Sequence, residues 1–343
     1  MSATVGMAPP PPGVTPTFNN EYPWLYNANV SIIVFGLTIS CICLGLRVWT
    51  RVYLLRKFGL DDASIIMAWL FSIGTQMTSL LSFTYGGVGS HMWNVSKQTY
   101  GEYEKYLLST SILYVPALAL AKISLIILYH RIMKKQKIYV MALHAITAVV
   151  MGYSISIIFA LILACHPVSR NWDPTVEGEC VNRTALYIAT AVTNIVTDLA
   201  LITLPIPLVL RLNMPRSQKV YLFLMFVVGC ATVITSILRM VTLVDFLHAT
   251  DVTYKLAWPE LWINVEANLI IICPCLPILR PFMRHYIPGW GDDETATGNP
   301  YLDNTYTESQ NKWKTAYGQN DEIALADNVD SVRSESRMVK STR

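Results

Sequence analysis

The sequence predicts an all-α fold, a seven-transmembrane helix bundle with its N-terminus outside and its C-terminus in the cytoplasm. Three observations carry that expectation. Hydrophobic residues make up 53% of the chain and charged residues only 14%, with a mean hydropathy of +0.39, whereas a water-soluble domain carries nearer about 25% charged residues. Seven apolar segments follow one another, over residues 30–50, 62–83, 107–129, 138–164, 184–208, 219–244 and 257–279, each long enough to cross the hydrocarbon core as a tilted helix. The basic residues fall unevenly between them. Arg51, Arg56 and Lys57, then Arg131, Lys134, Lys135 and Lys137, then Arg211, Arg216 and Lys219, then Arg280 and Arg284 lie on one side, twelve against the five (Lys97, Lys105, Arg170, Arg183 and Lys255) on the other. The positive-inside rule makes the richer side cytoplasmic.

In chain order, residues 1–29 read as an outer N-terminal tail. They are polar, carry the run Pro9 to Pro12, and lack a basic segment leading into an apolar core, so no cleaved signal peptide is expected. Residues 30–284 form the membrane domain. Residues 285–343 have no apolar period and read as a disordered cytoplasmic tail; Ser331, Ser334 and Ser336, beside Arg333 and Arg337, read as part of that solvated tail in preference to a phosphorylation cluster. A net charge of +3 gives no case for nucleic acid as a partner. The lipid bilayer is the first partner expected.

Within the helices, Arg47 lies near the inner end of the first span, where a long side chain can snorkel to the interface. Asp61 and Asp62 open the second span and read as caps at its positive end; no further acidic pair completes a metal cluster. Tyr85-Gly-Gly-Val-Gly-Ser-His91 reads as a helix exit, because a phosphate loop would need a following helix and a lysine at a fixed offset.

The stretch from Cys165 to Pro207 organises the rest. Cys165 and Cys180 bracket a short polar loop and are expected to form a disulfide, which belongs on an oxidising face. Asn182-Arg-Thr184 follows as an N-glycosylation acceptor. Asn94-Val-Ser96 falls in another outer connection, and Asn29-Val-Ser31 lies outside but close to the bilayer. The sequons at Asn94 and Asn182 agree with the charge asymmetry. Cys41, Cys43, Cys230, Cys273 and Cys275 fall within apolar segments as packing residues, and Cys273-Pro-Cys275 lacks the spacing of a redox or zinc motif.

Four charged side chains lie well inside predicted spans: Lys122, Asp198, Arg239 and Glu266. An ionisable residue at that depth marks a ligand, ion or switch site, or a pair that pins the bundle. Converting position to depth at about 1.5 Å per residue puts Lys122 and Asp198 below the midplane and Arg239 and Glu266 above it. The expected pairs are Lys122 with Asp198, the inner one, and Arg239 with Glu266, the outer one beneath the mouth of the bundle.

The chain resembles the fungal rhodopsin-domain integral membrane proteins, which include receptor-like proteins of plant-pathogenic fungi and the satratoxin-cluster type. The matching residues are Asp61-Asp62, Tyr85-Gly-x-x-Gly, Lys122-x-Ser-x-x-x-x-Tyr129-x-Arg131, Cys165-x-Pro167 with Trp172 and Cys180, Asp198 with Leu204-Pro205, Arg239, and Trp262-x-x-x-Glu266 with Leu276-Pro277. No single motif is specific; their order and spacing over about residues 30–285 are. The resemblance implies seven helices, an outer N-terminus, and a receptor-like or secondary-metabolism role. Two departures stand out. No cysteine precedes Cys41, so the cysteine-rich outer module of some relatives is lacking. The last span has no lysine beyond Lys255 at its outer edge, so retinal is not expected; Lys122 would be the only buried Schiff-base candidate. No cofactor is expected. The reading is a non-enzymatic membrane protein that senses or binds an extracellular or small-molecule ligand and reaches a cytoplasmic effector, placed at the plasma membrane in preference to an internal one. The alternatives are a transporter or channel, for instance for a secondary metabolite, and a membrane-embedded enzyme of a biosynthetic cluster.

Overall fold

A computed structural model describes residues 6–10, 12–13, 15, 23–56, 58–133, 137–173, 176–206, 216–278 and 282. The expected tail 285–343 with its serines, and Lys57, Lys134, Lys135, Pro207, Arg211, Arg280 and Arg284, lie outside the described residues.

Among the described residues, seven helices are long and apolar enough to cross a membrane. Helix α1 spans Pro23–Trp49 and continues through a π-helical turn, Thr50–Leu54; α2 spans Leu60–Tyr85, α3 Lys97–Met133, α4 Lys137–Ile162, α5 Arg183–Thr203 and α6 Arg216–Leu247. A short α7, Val252–Lys255, leads into α8, Ala257–Ile272, which runs on as the 3-10 turn Cys273–Ile278. The helices alternate in direction. One end of the bundle holds the β-hairpin β1 (Cys165–His166) and β2 (Glu179–Cys180), and the other holds a cluster of arginines. These are called below the hairpin end and the arginine end.

Two helices begin well ahead of the spans expected from hydropathy. Helix α1 starts at Pro23, where a missing N–H sacrifices no helical hydrogen bond. Helix α3 begins at Lys97, ahead of the apolar stretch that opens at residue 107. Its added turns are polar in sequence yet packed: Tyr103 is buried, and Glu104 meets Arg183 of α5 at 2.9 Å. Hydropathy sees the lipid boundary and not the end of the hydrogen-bonded helix, so it shortened both. At the other extreme, α8 gives way to a 3-10 turn because Pro274 and Pro277 each remove an N–H donor. A 3-10 turn would bond the Pro274 carbonyl to the N–H of residue 277, and proline has none. The Arg47 guanidinium supplies the donor instead, with Nη1 at 2.5 Å from that carbonyl.

The hairpin end is tied down by specific contacts. Cys165 and Cys180 face each other in the hairpin and are joined by the expected disulfide. Arg183, the first residue of α5, also donates through Nη2 to the Asn171 carbonyl at 3.2 Å, fastening the bracketed loop to α3 and α5. The glycine run after α2 is a helix exit, with Gly87 at φ 70° and Gly89 at φ 86°, a backbone region glycine enters freely. Gly89 N–H donates to the Thr253 carbonyl at 3.0 Å. His91 pairs with Asp251 and stacks on Trp93 and Tyr254. The N-terminal stretch is not wholly a free tail: Gly6 bridges to Ser96, and Met7 N–H lies 3.1 Å from the Val95 carbonyl.

Candidate functional site

The largest groups of buried polar side chains among the described residues are two charged assemblies and one row of neutral amides. At the arginine end, Asp61 and Asp62 open α2, the Asp62 carboxylate accepting from the N-cap Gly59 N–H at 3.1 Å. The cap reading therefore holds for Asp62 and leaves out most of what the pair does. Arg47 bridges both acids, Nη2 to Asp61 at 2.9 Å and Nε to Asp62 at 2.8 Å. Arg51 meets Asp61 at 2.7 Å, and Arg131 of α3 reaches it at 3.1 Å. Ser124 donates to the Asp61 carbonyl. The snorkelling expected of Arg47 does not occur: its side chain turns inward and is 1% exposed. Two carboxylates and an orphan carbonyl inside the bundle offer it more than the interface does.

Toward the middle of the bundle lies the second assembly. Lys122 Nζ of α3 lies 2.8 Å from Asp198 of α5, and Arg239 Nε of α6 lies 2.9 Å from Glu266 of α8. These are the two pairs that depth along the helices suggested. The structure then joins them, which depth alone did not indicate. Asn194 sits between: its Oδ1 accepts from Lys122 at 2.8 Å, and its Nδ2 lies 3.2 Å from Asp198 and 2.6 Å from Glu266. The Ser236 hydroxyl, between the same two acids, is 3.2 Å from Asp198 and 2.5 Å from Glu266. Tyr114 donates to Glu266 at 2.6 Å, and its ring lies under the Arg239 guanidinium, 5.3 Å from centroid to carbon. Thr197 completes the lysine's shell at 2.7 Å. The result is one buried network drawn from α3, α5, α6 and α8. Its connectors, Asn194, Ser236 and Tyr114, are uncharged, so a search for intramembrane charges passes over them.

A pocket opens beside this network toward the hairpin end, between α3, α5, α6 and α8, with an empty volume of about 650 Å3 that includes the open space at its mouth. Its walls are mostly apolar, among them Leu243, Phe246 and Ile263, and its charged lining residues are Arg239 and Glu260. Arg239 Nη2 is buried and has no hydrogen-bond partner among the described residues. Glu260 is 1% exposed and accepts from the hydroxyls of Ser79 and Ser82 at 3.0–3.1 Å. Sequence reading missed Glu260 because it stands in the first turn of α8, where an acid passes for a helix-end residue.

The amide row links α1, α2 and α8. Asn264 donates to Asn29 at 2.7 Å and to Ser79 at 3.0 Å, and Asn268 donates to Gln76 at 3.0 Å. Gly36 makes room for it: a Cβ there would fall 2.2 Å from Asn268 Nδ2. This placement corrects one sequence expectation. Asn29 is 0% exposed and inside the bundle, so it is not a sugar acceptor in the folded chain. Its sequon is met in a helix that begins before it, and not in an outer tail. Asn94 is nearly enclosed in the turn Met92–Asn94. Asn182 is exposed and caps α5 by accepting from Ala185 N–H at 3.2 Å. Among the described residues, no group of three or more His, Cys, Asp or Glu side chains has the arrangement of a metal site.

Comparison with known proteins follows the same outline. The fungal rhodopsin domain profile matches residues 46–285. A polyenoic acids biosynthesis gene cluster protein, Ba17b, of Metarhizium anisopliae is 28% identical over 80% of this chain and 78% of its own length. A SAT4 family membrane protein of Emericella nidulans is 29% identical over 58% of this chain and 51% of its own. Receptor GIN3 of Arthrobotrys oligospora is 26% identical over 76% of this chain and 64% of its own. No solved structure matches.

Proposed function

Because the chain belongs to the fungal rhodopsin domain family, as a multi-pass membrane protein, we propose that it is a receptor-like sensor of an extracellular small molecule. The observation that carries this reading is the pocket at the hairpin end whose wall includes Arg239, one end of the network that runs through Glu266, Asn194 and Asp198 to Lys122. A ligand taking up Arg239 would alter a hydrogen-bonded link to three other helices. A relative named as a receptor supports the reading. In this proposal the hairpin end faces outward, the arginine end faces the cytoplasm and its effector, and the protein sits at the plasma membrane. The excess of basic residues at the arginine end supports that orientation. A second reading has one specific support, the biosynthetic-cluster names of several relatives: the protein handles or responds to a cluster metabolite.

Two measurements test the proposal. A glycosylation reporter fused after residue 97 should be modified, and one fused after residue 135 should not; the reverse pattern inverts the topology and ends the extracellular reading. A Leu243→Trp variant, which fills the pocket and leaves the charges alone, should reach the plasma membrane at wild-type level and reproduce the transcriptional phenotype of a deletion strain. A wild-type transcriptional profile would reject the sensor, and a changed distribution of metabolite across the membrane without one would favour transport.

A further inference from the structure

The buried acids of this protein differ in one respect. Asp61, Asp62, Asp198 and Glu266 each have a lysine or arginine nitrogen within 2.9 Å. Glu260 is buried as deeply, yet among the described residues it has no ion-pair partner, only the hydroxyls of Ser79 and Ser82. It is also the one of the five that lines the pocket. A buried carboxylate without a counter-charge is costly, and here the space for one is open beside it. The pocket's other charge, Arg239, is already compensated: both oxygens of Glu266 are occupied, Oε2 by Arg239 Nε and the Tyr114 hydroxyl, Oε1 by Asn194 and Ser236. What Arg239 lacks is an acceptor for Nη2, not an anion. The network is therefore electrically closed, and Glu260 in its ionised form has no cation left to pair with among the described residues; a proton or a ligand's cation would relieve it.

We propose that the pocket takes an apolar amine, its ammonium group on Glu260 and an uncharged oxygen acceptor on Arg239 Nη2, with the body of the ligand against Leu243, Phe246 and Ile263. An anionic ligand fits the same walls poorly, since it would add a second negative charge where no unpaired cation waits. The inference rests on the reading of the pocket as a ligand site, and it adds the ligand's chemical class.

The test uses the full chain in lipid nanodiscs and a matched series of probes: 8-amino-1-octanol, octylamine, 1,8-octanediol and 8-hydroxyoctanoic acid. Binding is read as the rise in thermal unfolding midpoint with probe concentration. The amino alcohol should bind about tenfold tighter than the diol, octylamine should fall between them, and the hydroxy acid should give no saturable shift. Glu260→Gln keeps an acceptor for the two serines and should abolish the preference of amine over diol while leaving diol binding in place. Leu243→Trp should remove saturable binding of all four, which separates the pocket from partition into the lipid. The proposal fails if the amine binds no tighter than the diol, if Glu260→Gln retains the amine preference, if the acid binds best, or if the amino alcohol gives no saturable shift at all. A protein that binds the amine and lacks the transcriptional response refutes the sensor and not this site; one that responds in cells but ignores the amine refutes this site and not the sensor.

Discussion

The two charged assemblies of the bundle are built on opposite plans. At the arginine end, Arg47, Arg51, Asp61 and Asp62 lie close in sequence, at the turn between α1 and α2, and each carboxylate is shared among guanidinium groups. Arg131 and the Pro274 carbonyl attach that turn to α3 and the end of α8. In the middle, Lys122, Asp198, Arg239 and Glu266 come from four separate helices and form two direct pairs that are joined to each other through neutral connectors, with a pocket beside them. The first assembly is a fastener: its charges are matched to each other and enclosed. The second is incomplete at its edge, where Arg239 and Glu260 line the pocket and Arg239 Nη2 has no partner among the described residues. Charge burial by itself does not distinguish a structural lock from a site. Unmet capacity next to a cavity does.

The largest test of this contrast is Arg47→Leu. It leaves Asp61 with Arg51 and Arg131, Asp62 with Arg51 at 3.5 Å, and the Pro274 carbonyl unmet, so it should cost about 3–5 kcal/mol, the range for breaking a buried ion pair. Folded yield by fluorescence-detected size exclusion, with the unfolding midpoint, reads the loss; near-wild-type behaviour would remove the fastener from the comparison. Next is the exchange Arg239→Glu with Glu266→Arg. Each single change should cost a similar amount, about 3–5 kcal/mol, and the double change should recover part of it. Full recovery is not expected, since Tyr114 and Asn194 are placed to donate to a carboxylate at residue 266 and would meet a guanidinium instead. A double variant no better than the singles would mean that the two side chains do not act as a pair.

Smaller effects sharpen the contrast. Cys165→Ser and Cys180→Ser should each cost about 2 kcal/mol, the low end for a native disulfide, because α4, α5 and the Arg183 contacts already hold the ends of the loop. The double variant should equal either single one; additive losses would mean that the cysteines act separately. Smallest of all, Glu260→Gln should change unfolding by less than about 1 kcal/mol, in the range of substitutions that break no buried network. A loss as large as that of Arg47→Leu would place Glu260 with the fasteners and against the ligand site.

The pairs Lys122–Asp198 and Arg239–Glu266 were legible because depth in a membrane helix follows from counting residues, and depth selects partners when few charges are present. Rotation about the helix axis was less legible. Arg47 has the depth of a snorkelling residue and the azimuth of an interior one, and nothing in its local sequence separates the two. Asn194, Ser236 and Tyr114 are common residue types in an apolar run, and their place as connectors exists only once four helices are packed. Asn29 shows the same difficulty from the other direction, since an acceptor sequon is a local pattern and enclosure is not. The Cys165–Cys180 disulfide needed only two cysteines on the same side of the membrane.

The row of amides between α1, α2 and α8 has a mechanical consequence. Asn29, Gln76, Ser79, Asn264 and Asn268 are held to one another inside the bundle, where a broken amide hydrogen bond finds no water to replace it. Those three helices form a chassis. Any rearrangement that keeps the row intact must be made by the helices outside it, and the hydrogen bonds that Asn194, Ser236 and Arg239 of α5 and α6 make to the chassis converge on the carboxylate of Glu266, beside the apolar packing of Leu243 and Phe246 with Leu261.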